Sequence, residues 1–89
     1  MKNVELLQKC LRDVLETVNN NAGLIFEHQA KGYAFLDEYN ADLLYETFEY
    51  AHKNGLFIGS SEMIAAINTG KGLSAKGREN LKALKNMNL

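Results

Sequence analysis

The chain contains no proline, no tryptophan, one cysteine and two histidines among its 89 residues. A single cysteine cannot form an internal disulfide. We expect Cys10 to lie in the core, because it falls among leucines and valines on an apolar helical stripe. His28 and His52 are far apart, and neither stands at a metal-binding interval from other ligands. These shortages disfavour a disulfide framework and a zinc site, and we predict neither a metal nor a cofactor.

Long hydrophobic runs are also missing. The most apolar window, residues 63–67, is far shorter than the roughly 20 residues that span a bilayer. The first turns of the chain alternate charge with leucine, which is unlike a signal peptide. With 46% apolar residues, the chain suits one compact domain over residues 1–89. We therefore expect a soluble, cytoplasmic single-domain protein without a membrane segment.

Charge is nearly balanced overall, at a formal net charge of -1, but it is unevenly distributed. Residues 37–50 contain no lysine or arginine and hold these carboxylates: Asp37, Glu38, Asp42, Glu46 and Glu49. Residues 71–89 contain Glu79 alone against these cations: Lys71, Lys76, Arg78, Lys82 and Lys85. The pattern predicts one acidic and one basic face.

The N-terminal part of the sequence has helical periodicity. Apolar residues recur at intervals of three and four at Val4, Leu7, Leu11, Val14 and Val18. This spacing predicts an amphipathic helix over residues 3–18, capped by Asn3. The run of asparagine, alanine and glycine at 19–23 should end it, because asparagine and glycine tolerate a left-handed backbone.

Residues 24–37 allow two interpretations. The segments 24–26 and 33–36 are rich in β-forming side chains and flank Lys31 and Gly32, which favours two extended pieces or a hairpin. The alternative is a short helix over the second segment.

A second helix should begin after Asn40 and end at Gly55, with Lys53 in its last turn. Its inward face would consist of Leu43, Leu44, Thr47, Phe48 and Ala51. Residues 56–58 should then form a strand, 59–61 a turn and 63–67 the returning strand. The glycine-containing tail at 68–72 should be flexible. Ser74 should cap a last helix with Leu81 and Leu84 facing inward.

The order of these elements resembles that of small bacterial and phage winged-helix proteins. Such proteins commonly enter the last helix through an aliphatic-Thr-x-x-Gly-x-x-x-Leu pattern, which is matched here by Leu73, Ser74, Gly77 and Leu81, with serine in place of threonine. Over about residues 39–84 the chain is similar to the YjcQ-like group of uncharacterised proteins from Gram-positive bacteria and their prophages. The resemblance implies an α+β, winged-helix-like fold with three main helices and a β-hairpin, the wing, between the second and the last. The chain departs from this pattern between residues 19 and 39, where the second helix of a helix-turn-helix pair is not evident.

Three motifs invite a chemical interpretation, and each has a simpler structural one. Asp37 and Glu38 are adjacent and should point apart, whereas acid-base work needs two carboxylates facing one pocket. The lysine between Gly70 and Gly72 comes too early for a phosphate-binding loop. Ser60 and the serine after it lack the context of a nucleophile elbow. We therefore predict no enzymatic activity and no small-molecule substrate.

Two binding functions make opposite use of the charges. In the usual winged-helix mode, the helix over residues 40–54 would enter the DNA major groove, but Asp42, Glu46 and Glu49 would oppose the phosphates. A variant of this DNA-binding mode uses the wing and the last helix through Lys71, Lys76, Arg78, Lys82 and Lys85. The alternative for these cations is a solvated helix face.

The interpretation that we prefer is a small protein-interaction or accessory module. Either its acidic face over residues 37–50 or its exposed wing would engage the partner. The candidate partner-binding residues are Asp42, Tyr45, Glu46 and Glu49. An acidic helix that faces a basic partner gains association rate and specificity from complementary charge. Self-association is a special case, in which the acidic helix of one copy faces the basic helix of another.

Overall fold

The part of the chain that the computed structural model describes, residues 4–28, 36 and 38–88, contains three helices and three short strands. The elements are α1 (Val4–Asn20), β1 (Ile25–Glu27), α2 (Ala41–Lys53), β2 (Ser61–Met63), β3 (Ala66–Asn68) and α3 (Ala75–Lys85). The strands form one antiparallel sheet in the order β1-β3-β2. This is an α+β fold, compatible with the winged-helix-like arrangement that the sequence predicts.

Helix α1 confirms the predicted amphipathic helix and continues as far as Asn20. The chain then turns at Gly23, whose positive φ of 83° is readily adopted by glycine. Cys10 is fully buried, as expected, with its Sγ 3.4 Å from Thr47 Oγ1 on α2. Burial raises the pKa of this thiol, which makes it a packing group. The predicted cap, Asn3, lies outside the described residues.

Helix α2 has the predicted boundaries. Asn40 Oδ1 accepts a hydrogen bond from the backbone N–H of Leu43 at 2.8 Å, and Gly55 has the positive φ of a left-handed helix stop. The residues buried on its inward face are Leu44, Thr47, Phe48 and Ala51. Phe48 stacks on Phe26 of β1 with ring centroids 4.8 Å apart, which joins the helix to the sheet.

Strand β1 confirms the extended segment predicted after Gly23, and it pairs with β3 rather than with a neighbour in sequence. Phe26 lies opposite Ile67, and both side chains are fully buried. The prediction for residues 33–36, a second extended piece or a short helix, falls outside the described residues except for Leu36. That leucine is buried in the core.

The hairpin between α2 and α3 exists, but its predicted position was wrong. The two strands are β2 and β3, and the connection lies at Ile64 and Ala65, where Ala65 has a φ of 57°. Residues 56–58 do not enter this sheet. Phe57 instead makes an isolated antiparallel bridge with Leu73. The chain before α3 runs back alongside residues 56–58 and hydrogen-bonds to their backbone.

The segment at 68–72 was predicted to be flexible, and this was wrong. Thr69 is fully buried and donates its hydroxyl to the Leu24 carbonyl at 2.9 Å. Ile58 donates its N–H to the Gly72 carbonyl and accepts from the N–H of Lys71, each at 2.8 Å. Any Cβ at position 70 would collide with the backbone of residues 58 and 59. Gly70 therefore serves close packing rather than looseness, whereas Gly72 supplies a positive φ of 102°.

Helix α3 begins as predicted at Ser74, which makes two hydrogen bonds. Its hydroxyl accepts from the Gly77 N–H at 3.0 Å and donates to the Gly55 carbonyl at 2.7 Å. Leu81 and Leu84 are buried, as expected. The helix packs so closely that a Cβ on Gly77 would collide with the carbonyl of Leu56.

Candidate interaction surface

Of the four residues predicted to bind a partner, Asp42, Glu46 and Glu49 lie on the solvent side of α2, whereas Tyr45 packs partly buried against the core. The four do not form one cluster. Because Leu44, Phe48 and their neighbours fill the inward face, helical periodicity directs Asp42 and Glu49 outward. Tyr45 lies on the flank next to the sheet. Glu46 lies on the opposite flank, next to α1.

On the sheet flank, Tyr45 and Glu49 meet Glu62 of β2. The Tyr45 hydroxyl donates to Glu62 Oε2 at 3.3 Å, and Glu49 forms an ion pair with Lys53 at 3.3 Å. A hydrogen bond shared with the Glu62 carboxyl group and the ion pair with Lys53 lower the pKa of Glu49. Partial desolvation and the negative charge of Glu62 raise the pKa of Tyr45. Neighbouring groups within the fold thus occupy this flank.

At the start of α2, Asp42 contacts a residue that sequence reasoning missed. His28 Nε2 lies 2.8 Å from Asp42 Oδ1, and the His28 ring meets Tyr45 edge to face with centroids 5.3 Å apart. The end of β1 brings this histidine to the helix. No sequence signal pointed to the contact, because strand pairing between β1 and β3 decides where residue 28 lies.

On the other flank, an apolar groove of about 340 Å³ separates the first turns of α1 from α2. Its lining includes Val4, Leu7, Gln8, Leu11, Glu46 and Tyr50. Val4 is 57% exposed, Leu7 46% and Tyr50 51%. Sequence reasoning missed this groove. Periodicity places Val4 and Leu7 on the same apolar stripe as the buried Val14, but it does not show how far along α1 the neighbouring helix α2 covers that stripe.

The predicted nucleic-acid-binding residues are distributed over two regions of the surface. Arg78 donates through Nη1 to the Leu73 carbonyl at 3.1 Å, and Lys85 forms an ion pair with Glu16 of α1 at 3.0 Å. Lys82 lies between them beside a shallow depression of about 360 Å³. Helical periodicity puts Lys76 on the opposite flank of α3. The contiguous cluster therefore has three cations, and two of them already bind groups within the fold.

Lys71 was expected in the wing, and this placement was wrong. The hairpin spans residues 61–68 and contains Glu62 but neither lysine nor arginine. Lys71 follows β3, where its N–H bonds to the Ile58 carbonyl. The tip of the hairpin is apolar, with Ile64 99% exposed. The hairpin thus lacks the positive charge with which a wing would contact phosphate.

Ser60 and His52 form the only serine–histidine pair among the hydrogen bonds of the described residues. His52 Nδ1 lies 2.6 Å from Ser60 Oγ and ties the chain before β2 to the last turn of α2. Nucleophilic catalysis would also need a third group that orients the base and donors for an oxyanion. The hydrogen bonds of the described residues give His52 no such third group, and the described residues include no group of three or more potential metal ligands.

We compared the chain with known proteins: no family model, no curated protein and no solved structure matches it. The similarity to the YjcQ-like group stays a prediction from the motif around Ser74. Within the described part of the chain, no helix has the length and apolar character needed to cross a membrane.

Proposed function

We propose that the protein is a non-catalytic interaction module that binds a basic protein partner through the outward face of α2. The observation that carries the proposal is the contrast between carboxylates and cations on this helix. Asp42, Glu46 and Glu49 lie on its solvent side, and Lys53 is its only lysine or arginine. Lys53 already pairs with Glu49. Complementary charge on a partner would raise both the association rate and the specificity at such a surface.

The neighbouring apolar groove supports the same surface. Interfaces combine apolar cores with polar rims, and tyrosine is enriched in them. Tyr50 is half exposed beside Glu46, so apolar contact area and negative charge lie side by side. Exposed apolar side chains that cluster mark interaction sites more reliably than isolated ones.

DNA binding through α3 is less well supported. Only Arg78, Lys82 and Lys85 are contiguous, and the hairpin adds Glu62 in place of a cation. We expect fluorescent mixed-sequence duplex DNA to show no saturable binding at about 50 mM salt, and no change at about 200 mM. Saturable binding that weakens with salt, and that an Arg78→Glu, Lys82→Glu double variant abolishes, would restore the DNA-binding function.

The proposal itself is tested by site-specific photo-crosslinking in cells that produce the protein. A photo-reactive side chain at position 46 should give a discrete protein adduct. The matched probe replaces Glu79, an exposed helical carboxylate on α3. It should give no such adduct. Adducts of equal yield from both positions, or none from position 46, would refute an α2-based interaction module.

A further inference from the structure

The groove between α1 and α2 offers a more specific assignment, which rests on the proposed function. We infer that it binds a single amphipathic helix of a partner protein. That helix would insert apolar side chains spaced i, i+3 or i+4, and i+7, and place a lysine or arginine against Glu46. The partner surface is thus an apolar stripe with a basic margin.

The shape of the groove favours a helix. Its two walls are helices, and a third helix can pack on such a pair by fitting its ridges of side chains into their grooves. From Val4 to Leu11 the α1 wall rises about 10 Å, at 1.5 Å per residue, which is about two helical turns. A partner helix would therefore present two turns of apolar residues to it, the spacing by which helices in grooves are recognised.

The chemistry of the groove explains why the partner helix should have both an apolar stripe and a basic margin. Val4, Leu7 and Tyr50 each leave about half of their surface in water, and covering them would release a favourable hydrophobic free energy. Glu46 is exposed at the α2 rim, and Gln8 at the α1 rim carries no charge. Glu46 takes part in none of the ion pairs of the described residues. A cation on the partner would therefore meet an available carboxylate.

A second copy of this chain fits the groove less well. The exposed side of α3 is basic, but its inward leucines, Leu81 and Leu84, are buried and cannot serve as anchors. The first turns of α1 carry apolar residues, but Lys9 there is paired with Glu38, and Glu5 would come to a rim that already holds Glu46. Like charges at an interface disfavour pairing.

The test is a displayed library of helical peptides with apolar residues fixed at i, i+3, i+4 and i+7 and random residues beside them. The library is selected on the wild-type protein and, in a separate parallel selection, on a Leu7→Asp variant. Leu7 is half exposed, so this variant should keep the fold, which circular dichroism and thermal unfolding can verify. We expect lysine or arginine to be enriched at one position next to the apolar stripe.

Binding of the recovered peptides is then measured with purified variants. We expect Leu7→Asp to weaken binding about ten-fold or more and Glu46→Lys to weaken it several-fold, as loss of an apolar anchor and of a rim charge would. The matched control, Glu79→Lys, should change the affinity less than about two-fold. Amide chemical-shift changes should centre on residues 4–11 and 46–50.

The outcomes separate this inference from the proposed function. Peptides that respond to a Glu46→Lys, Glu49→Lys double variant but not to Leu7→Asp would overturn the groove and leave the acidic surface standing. Binding insensitive to both changes would overturn both. Failure of the wild-type protein to enrich any peptide over the starting library would overturn the groove assignment alone, and so would wild-type self-association that Leu7→Asp abolishes.

Discussion

Helices α2 and α3 carry opposite charges, and they differ more in how the fold uses them. On α3, Arg78 binds a backbone carbonyl and Lys85 pairs with α1, so much of the basic side contributes to the fold. On α2, the flank next to the sheet is similarly engaged, through Tyr45 and Glu49. The flank next to α1 instead leaves Glu46 and a half-exposed Tyr50 beside an open apolar groove.

A charged face is therefore not by itself a binding site. A cluster of cations seen in the sequence loses much of its capacity for phosphate when its members serve as structural donors. Conversely, one carboxylate beside exposed apolar residues has both of the components that an interface needs. The comparison predicts that substitutions at the α3 contacts affect stability, whereas substitutions along the groove affect binding.

The largest expected effect is at the start of α3. Replacing Gly77 with alanine would drive a Cβ into the Leu56 carbonyl, and we expect a loss of about 3 kcal/mol or more in the free energy of unfolding, as for severe overpacking. Urea denaturation would measure it. The control, Lys76→Ala at the exposed neighbouring position, should stay within about 0.5 kcal/mol of wild type. Equal stabilities of the two variants would show that the start of α3 does not lie in close contact with the Leu56 carbonyl.

The next largest effect is a difference between the two helix caps in how much each stabilises the fold. Asn40 supplies one hydrogen bond to α2, whereas the Ser74 hydroxyl both accepts from Gly77 and donates to Gly55. We expect Asn40→Ala to lower the free energy of unfolding by about 1 kcal/mol and Ser74→Ala by about 2 kcal/mol. Thermal or urea unfolding of both variants would compare them. The reverse order would mean that the Ser74–Gly55 bond does not stabilise the junction.

A smaller difference in stability is expected between variants of two charged side chains, Arg78 on α3 and Glu46 on α2. Arg78→Ala removes a hydrogen bond to the Leu73 carbonyl and should lower stability by about 1 kcal/mol. Glu46→Ala should change it by less than about 0.5 kcal/mol, because exposed surface substitutions rarely do more. If Glu46→Ala is the more destabilising variant, the contrast between structural and available charges is wrong.

The smallest effect concerns pH. The folded pKa of Glu49 lies below its ordinary value of 4.5, so the unfolded chain binds more protons there. The stability that Glu49 contributes is therefore complete above that value and is lost as the pH falls through the lower, folded pKa. Glu49→Gln should reduce the drop in unfolding free energy between about pH 6 and about pH 3. The control Glu79→Gln should leave the drop unchanged, and an identical drop in all three proteins would contradict the Glu49 contacts.

Local signals in the sequence predicted much of the fold. Periodicity and caps located all three helices, because Asn40, Gly55 and Ser74 act on the backbone within a few residues of themselves. The hairpin was misplaced because a glycine and two serines at 59–61 have strong turn chemistry, whereas the true turn uses Ala65 at positive φ. Tertiary pairing overrode local preference there.

The candidate surface was only partly predictable. Helical spacing correctly placed Asp42 and Glu46 on the solvent side of α2. The contacts of His28 and Glu62 with that helix depend on strand pairing across the sheet, which no local pattern encodes. The groove depends on where α2 stops covering α1. Periodicity identifies an apolar stripe but not the length of the element that packs on it.

The most direct test of the account is the affinity of the partner crosslinked through position 46, measured by calorimetry against two double variants. We expect Glu46→Lys with Glu49→Lys to weaken binding about ten-fold or more, and Arg78→Glu with Lys82→Glu to change it less than about two-fold. Loss of binding through the α3 pair, with the α2 pair unaffected, would contradict the assignment of the interaction surface to α2.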